Sequence, residues 1–213
     1  MNTEEKQQTE HVDAEVVVTQ QEVQAHAVSV FQSISENPIS SVVSWMMIAK
    51  QLQRMRRFDS KLLQFQLGLM MEEMSELVTE FEGSDVFTPE LLIELKKAAE
   101  KLKNKDTPDF VNSVFNNQQA KAAKLLDHLL DIVWVTIGAT AAGGYATPDA
   151  WKEVARANFE KFSLCDAPDP LNPDCPTCQG SGMYANRDEN GKVVKPAGWR
   201  EPVLAPYLPP DIN

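Results

Sequence analysis

Three carboxylates, Glu72, Glu73 and Glu76, are set in the otherwise apolar run Gln66–Leu77. About fifty residues later Asp127, His128 and Asp131 interrupt a second apolar run, Leu125–Trp134. Carboxylates are costly to bury unless a cation meets them. Hard oxygen ligands from two facing helices suit Mg²⁺ or Mn²⁺ rather than a thiolate-seeking metal. Ions of that kind bridge phosphates and polarise a phosphorus under attack, and a spare carboxylate can orient the attacking water as general base. Taken alone, the glutamate cluster reads equally well as a solvated acidic face. The two aspartates shift the balance, because Asp is a poor residue for a helix interior and these two lie in the most apolar helix of the chain. A metal then accounts for them better than salt bridges to neighbouring Lys or Arg.

The elements that must position these groups are helices. At 100° per residue, Glu72, Glu73, Glu76 and Glu80 share one arc with Leu69. That arc flanks a seam of Leu63, Leu67, Met70, Met74, Leu77 and Phe81, which is expected to face the core. The helix is predicted over Ser60–Glu82, capped by Asp59 or Ser60 and stopped by Gly83. The aspartates fall in a helix over Gln118–Ala142, apolar on nearly every side and so expected at the buried centre of a bundle. Further helices are predicted at Thr19–Ser33, Ser40–Arg57, Pro89–Lys103, Asp106–Phe115 and Thr147–Phe162. The Pro89–Lys103 helix is charged on one side and is expected to be peripheral. The fold class is all-α, a helical bundle. Its expected organisation is a disordered tail at 1–14, an N-terminal helical extension at 15–58, a core at 59–163 with an inserted helix at 88–103, and an irregular C-terminal segment at 164–213. That last segment is rich in proline and carries a turn signal at Asn190-Gly191.

The chain has 213 residues and a formal net charge of −11, the wrong sign for a general grip on nucleic acid. The apolar stretch Leu125–Ala142 is interrupted by Asp127, His128 and Asp131, which argues against a membrane span. The polar, acidic start is unlike a secretory signal. The expectation is a soluble cytoplasmic protein with no membrane or nucleic-acid partner. The three cysteines all lie late in the chain. Cys175-Pro-Thr-Cys178-Gln-Gly-Ser-Gly182 matches half of a zinc knuckle, and Cys165 could add a third ligand to a structural Zn²⁺; the alternative is a reduced surface loop.

Glu72-Glu73-x-x-Glu76, the later helix carrying Asp131, Asn158-x-x-Lys161 and the closing Gly191-Lys192-Val193-Val194-Lys195-Pro196-Ala197-Gly198-Trp199 together resemble the all-α nucleoside triphosphate pyrophosphohydrolases. This is the superfamily of MazG and phosphoribosyl-ATP pyrophosphohydrolase. The resemblance runs from about Ser60 to Phe162 and resumes at Gly191. It implies a helical bundle that assembles as a homodimer or homotetramer, with sites near subunit interfaces. It implies Mg²⁺-dependent cleavage of a nucleoside triphosphate, or its deoxy form, between the α- and β-phosphates, giving the monophosphate and pyrophosphate. Carried over, Glu73, Glu76 and Asp131 resemble metal ligands, and Glu72 the carboxylate that completes the site or activates water. Asn158, Lys161 and Lys195 resemble phosphate contacts. Many members have Glu-x-x-Asp where this chain has His128-x-x-Asp131, so either Asp127 supplies the missing carboxylate, the favoured choice, or His128 becomes a nitrogen ligand. Trp199 either stacks on a nucleobase or pins the tail to the bundle. The rival readings are a non-catalytic helical scaffold and, among enzymes, a phosphoribosyl-ATP pyrophosphohydrolase.

Overall fold

Capping chemistry sets most helix starts. The computed structural model describes residues 18–52, 58–81, 83, 86–115 and 119–211. Within them the chain is mostly helical: α1 (Gln20–Ile34), α2 (Pro38–Ile48), α3 (Ser60–Thr79), α4 (Pro89–Lys103), α5 (Phe110–Phe115), α6 (Gln119–Ala142) and α7 (Thr147–Phe159). Thr19 and Glu22 close a capping box on α1, while Asn37, Asp59 and Thr88 accept the backbone N–H three residues on and start α2, α3 and α4. Proline occupies the first turn of α2, α4 and α7, where its missing N–H costs nothing. The expected tail at 1–14 and the expected end of the second helix at Arg57 lie outside the described residues.

The main core lies where α1, α2 and α7 meet a small sheet. Ala49, Phe159, Phe162, Met183 and Val193 are buried there, with Ala27, Phe31, Trp45 and Ile48 packed against them. The edge-on contact of Phe31 with Phe159, centroids 5.5 Å apart, ties α1 to α7. The core therefore crosses the boundary expected at residue 58. The sheet, absent from the sequence reading, pairs β1 (Phe162–Leu164) antiparallel with β2 (Met183–Ala185), Phe162 opposite Ala185 and Leu164 opposite Met183. The turn expected at Asn190-Gly191 is present. Gly191 has φ +86°, its N–H reaches the Asp188 carbonyl, and Arg187 pairs with Val193.

Two packing expectations are corrected. First, α3 is buried through Gln64, Gly68, Ser75 and Val78, and not through its large apolar seam: Met74, Leu77 and Phe81 are exposed. Its partner is α4, the helix expected to be peripheral. Small residues let the two backbones approach, and a Cβ at Gly68 would stand 3.0 Å from the Lys103 backbone nitrogen. Second, α6 has no buried residue at all, and Trp134 is 80 % exposed. It touches α5 and α7 but shares no packing face with α3. A helix apolar on every side calls for a cover, and among the described residues nothing covers it. By length and composition α6 is also apolar enough to cross a membrane, which corrects the expectation that its three polar residues rule this out.

Candidate active-site cleft

A cleft of about 390 Å³ opens between α3, α2, α7 and the turn after β2. Its walls bring together Glu72 and Glu73 from α3, Asn158 from α7, Lys161 just beyond it and Lys192 from the Gly191 turn. The remaining lining is largely apolar and aromatic, with Phe65, Trp45, Trp151 and Phe159. Four residues singled out in the sequence, Glu72 and Glu73 by spacing and Asn158 and Lys161 by the resemblance, thus converge. Asn158 and Lys161 do so because they lie one turn apart at the end of α7. The Lys161 ammonium donates to Asn158 Oδ1 at 2.8 Å, and the Asn158 amide donates back to the Val154 carbonyl.

The two glutamates are electrostatically unlike. Glu72 accepts from Lys103 Nζ at 2.7 Å and from Lys192 Nζ at 2.9 Å. Its partial burial raises its pKa, but the hydrogen bonds and charges of the two lysines outweigh that and hold the carboxyl below the usual range. Glu73 has no ion-pair partner among the described residues. Burial first, then the charges of Glu76 and Glu72, push its carboxyl upward, against weaker pulls from Lys192 and Lys161. An acid held among like charges is one that a cation would relieve. Opposite it, burial lowers Lys161, and the charges of Lys195 and Lys192 lower it further. Three mutually repelling ammonium groups define a place for an anion.

Lys195 stands behind this group, its Nζ 4.0 Å from the Trp199 ring centroid; Lys161 lies 5.9 Å from the same ring. The Trp199 indole N–H donates to the Ala157 carbonyl at 2.6 Å and so fixes the tail to α7. Of the two roles expected for Trp199, pinning is the one its contacts serve. Trp45 and Trp151, which sequence reasoning did not single out, hold the cleft wall; Trp45 donates to the Asn158 carbonyl at 2.9 Å. Lys192 and Lys103 were also missed.

The remaining acids do not join the cleft within one chain. Glu76 turns into an adjoining groove with Glu80, Lys96 and Glu100. Asp127, His128 and Asp131 can bring their ligand atoms within 4.8 Å of one another on the exposed face of α6, but no glutamate of α3 is in that group. The expectation that α3 and α6 face each other in one chain is therefore corrected. Cys165, Cys175 and Cys178 form a separate cluster, buried beside the sheet, with all three sulfurs within 4.8 Å. Comparison with protein-family models, with curated proteins and with solved structures finds no match to this chain.

Proposed function

We propose that the protein is a metal-dependent nucleotide pyrophosphohydrolase with a MazG-like helical bundle, hydrolysing a nucleoside or deoxynucleoside triphosphate to the monophosphate and pyrophosphate by water attack at the α-phosphorus. The observation that carries this is the pairing, across one cleft, of Glu73, which has no ion pair among the described residues, with Lys161 and Lys192, backed by Lys195, beside an aromatic wall. The acid side calls for a cation, the lysine side calls for an anion, and a triphosphate with its divalent ion supplies both. The donor set is oxygen throughout and fits Mg²⁺ or Mn²⁺, with Glu73 and Glu76 as ligands from α3 and Asp127 and Asp131 from α6. Bound there, the ion would neutralise phosphate charge and polarise the phosphorus.

The chain's own groups divide the remaining work. Lys161, held by Asn158, and Lys192 meet the β- and γ-phosphates, and Lys195 adds charge from behind. Phe65, Trp45 and Trp151 give the nucleobase an apolar wall that also excludes water. Glu72 is tied to Lys192 in the resting cleft. When Lys192 turns to a phosphate, one Glu72 oxygen becomes free to take the proton of the attacking water.

A second copy of the chain completes the site. The exposed face of α6 and the exposed Met74, Leu77 and Phe81 of α3 are two apolar surfaces, each beside one half of the carboxylate set. Packing α6 of one copy on α3 of another covers both and brings the acids together. This homodimer reading also explains why Asp127 and Asp131 stand apart within one chain. The test is Mg²⁺-dependent release of pyrophosphate from the common NTPs, dNTPs and phosphoribosyl-ATP. The absence of release from all of them would favour the scaffold reading, to which the uncovered α6 lends its one specific support.

A further inference from the structure

Between β1 and β2 the chain forms a loop, residues 165–182, with neither helix nor strand. Its buried side chains are Pro170 and three thiols: Cys165 is 0 % exposed, Cys175 4 % and Cys178 3 %. Only Ala167 and Tyr184 are packed against them among the partly buried apolar residues. Ordering backbone costs about 1–2 kcal/mol per residue. Pro170 and three small thiols give a loop of this length little apolar surface to offset that, and no disulfide ties it.

The local geometry is that of a metal knuckle. The sulfurs of Cys165 and Cys175 are 3.9 Å apart, far from a bonded pair but close to the roughly 3.8 Å edge of a tetrahedron with Zn–S bonds of about 2.3 Å. The turn that follows has Gln179 at φ +54° and Gly180 at φ +81°. A Cβ at Gly180 would stand 3.1 Å from the Leu171 carbonyl oxygen and the Pro173 backbone, so the turn closes tightly only on glycine. Cys178 donates its thiol proton to the Pro170 carbonyl at 2.9 Å. That carbonyl also accepts the Gly182 N–H at 3.2 Å, so it keeps a partner when the thiol is deprotonated.

We infer that Cys165, Cys175 and Cys178 are three thiolate ligands of a structural Zn²⁺ site whose fourth ligand is nitrogen or oxygen. The chain has only three cysteines, and no His, Asp or Glu joins them within 4.8 Å among the described residues. Soft thiolates select zinc over the hard ions suited to the carboxylates, and a four-cysteine iron–sulfur cluster has too few ligands here. Binding joins the end of β1 to the knuckle and releases the thiol protons to solvent. It thereby fixes the β1–β2 hairpin, which begins next to Lys161 and leads on to Lys192. The effect on the cleft rests on the pyrophosphohydrolase reading; the zinc site itself does not.

The full chain, purified without chelator, should carry about one zinc by elemental mass spectrometry, the stoichiometry of a single closed site. Replacement by Co²⁺ should give near-ultraviolet thiolate-to-metal charge-transfer absorption and intense tetrahedral d–d bands. Cys175→Ser and Cys178→Ser should lose the metal and these bands, whereas Glu73→Gln should keep both, which separates this site from the carboxylates. Stripping zinc from the wild-type chain should lower its melting temperature and expose three titratable thiols, and this decides the matter even if a cysteine variant does not fold. A wild-type chain that takes up neither Zn²⁺ nor Co²⁺, or binds Co²⁺ without thiolate bands, overturns the inference. So does a Cys165–Cys175 disulfide in the protein as isolated.

Discussion

Glu73→Gln removes one charge from a group of three acids while keeping the shape of the side chain. Its expected effects have opposite signs with and without metal. In the metal-free protein, burial and the neighbouring Glu76 and Glu72 raise the Glu73 pKa above its ordinary 4.5. A folded-state value above the unfolded one means that this group's contribution to stability is fully present below the unfolded value and is lost as pH rises through the folded one. At neutral pH its charge therefore works against folding, and the variant should melt at the same temperature or higher. With Mg²⁺ the order reverses. At ten times its dissociation constant, a ligand bound only by the folded state adds about 1.4 kcal/mol. At about 2–4 °C per kcal/mol for a chain of this size, the wild type should gain roughly 3–6 °C. The variant should gain less than about 1 °C, and its pyrophosphate release should fall by a factor on the order of 10²–10³ or more. Scanning calorimetry with and without Mg²⁺, beside a coupled pyrophosphate assay, reads both. A variant that melts lower without metal would mean that Glu73 anchors an internal contact. One that keeps the full Mg²⁺ shift would refute the metal assignment.

Lys192→Ala removes a phosphate contact and one of the two cations on Glu72, so KM should rise about tenfold, the equivalent of about 1.4 kcal/mol; an unchanged KM in steady-state kinetics would remove Lys192 from the site. Val133→Asp, on the uncovered face of α6, should turn a wild-type dimer into a helical monomer by sedimentation and abolish activity; a wild-type chain that is monomeric, or that partitions into membranes, rejects the dimer. Glu153 is held down to about 2, first by the hydrogen bond from Arg156 and then by the Val203 N–H. Its contribution to stability is present above the ordinary carboxylate pKa and lost as pH falls below that toward the folded value of about 2. Glu153→Gln should therefore cost about 1–3 kcal/mol near neutrality and flatten the acid limb of a urea-melt pH profile, and an unchanged limb would contradict the pairing.

Helix starts were legible because capping is local. Asp59, Thr88 and the prolines at 89 and 148 act on residues within one turn, so α3, α4 and α7 begin where the residues say, whereas the helix expected from Ser40 opens two residues earlier, at Pro38. Partner choice was not legible, because periodicity tells which face is apolar but not what covers it. On α3 the large seam suggested a core, yet burial followed Gly68 and Ser75, whose small size admits α4. On α6 a helix apolar all round suggested a bundle centre, yet among the described residues nothing buries it. The sheet escaped because each strand has three residues, too few for an alternation to register, and the loop that brings them together contributes no pattern.

The site divides along the same line. Asn158 and Lys161 were legible only through the resemblance, and helical spacing then fixes their relation. Lys192 and Lys195 lie three residues apart in one motif, and which of them reaches the cleft depends on the turn at Gly191, where φ is +86°; Lys195 instead stacks on Trp199. Lys103 comes from α4, so its contact with Glu72 could emerge only once α3 and α4 were known to pair. That contact also changes the reading of the acid cluster. Glu72, ion-paired with two lysines, is satisfied without metal; Glu73, with no ion pair among the described residues, is not. Adjacent residues of one motif thus carry different chemistry, and the difference is set by two lysines that approach from elsewhere in the chain. Removing both Lys103 and Lys192 should for that reason make Glu72 behave like Glu73, with a raised pKa and a new thermal shift on adding Mg²⁺ in calorimetry.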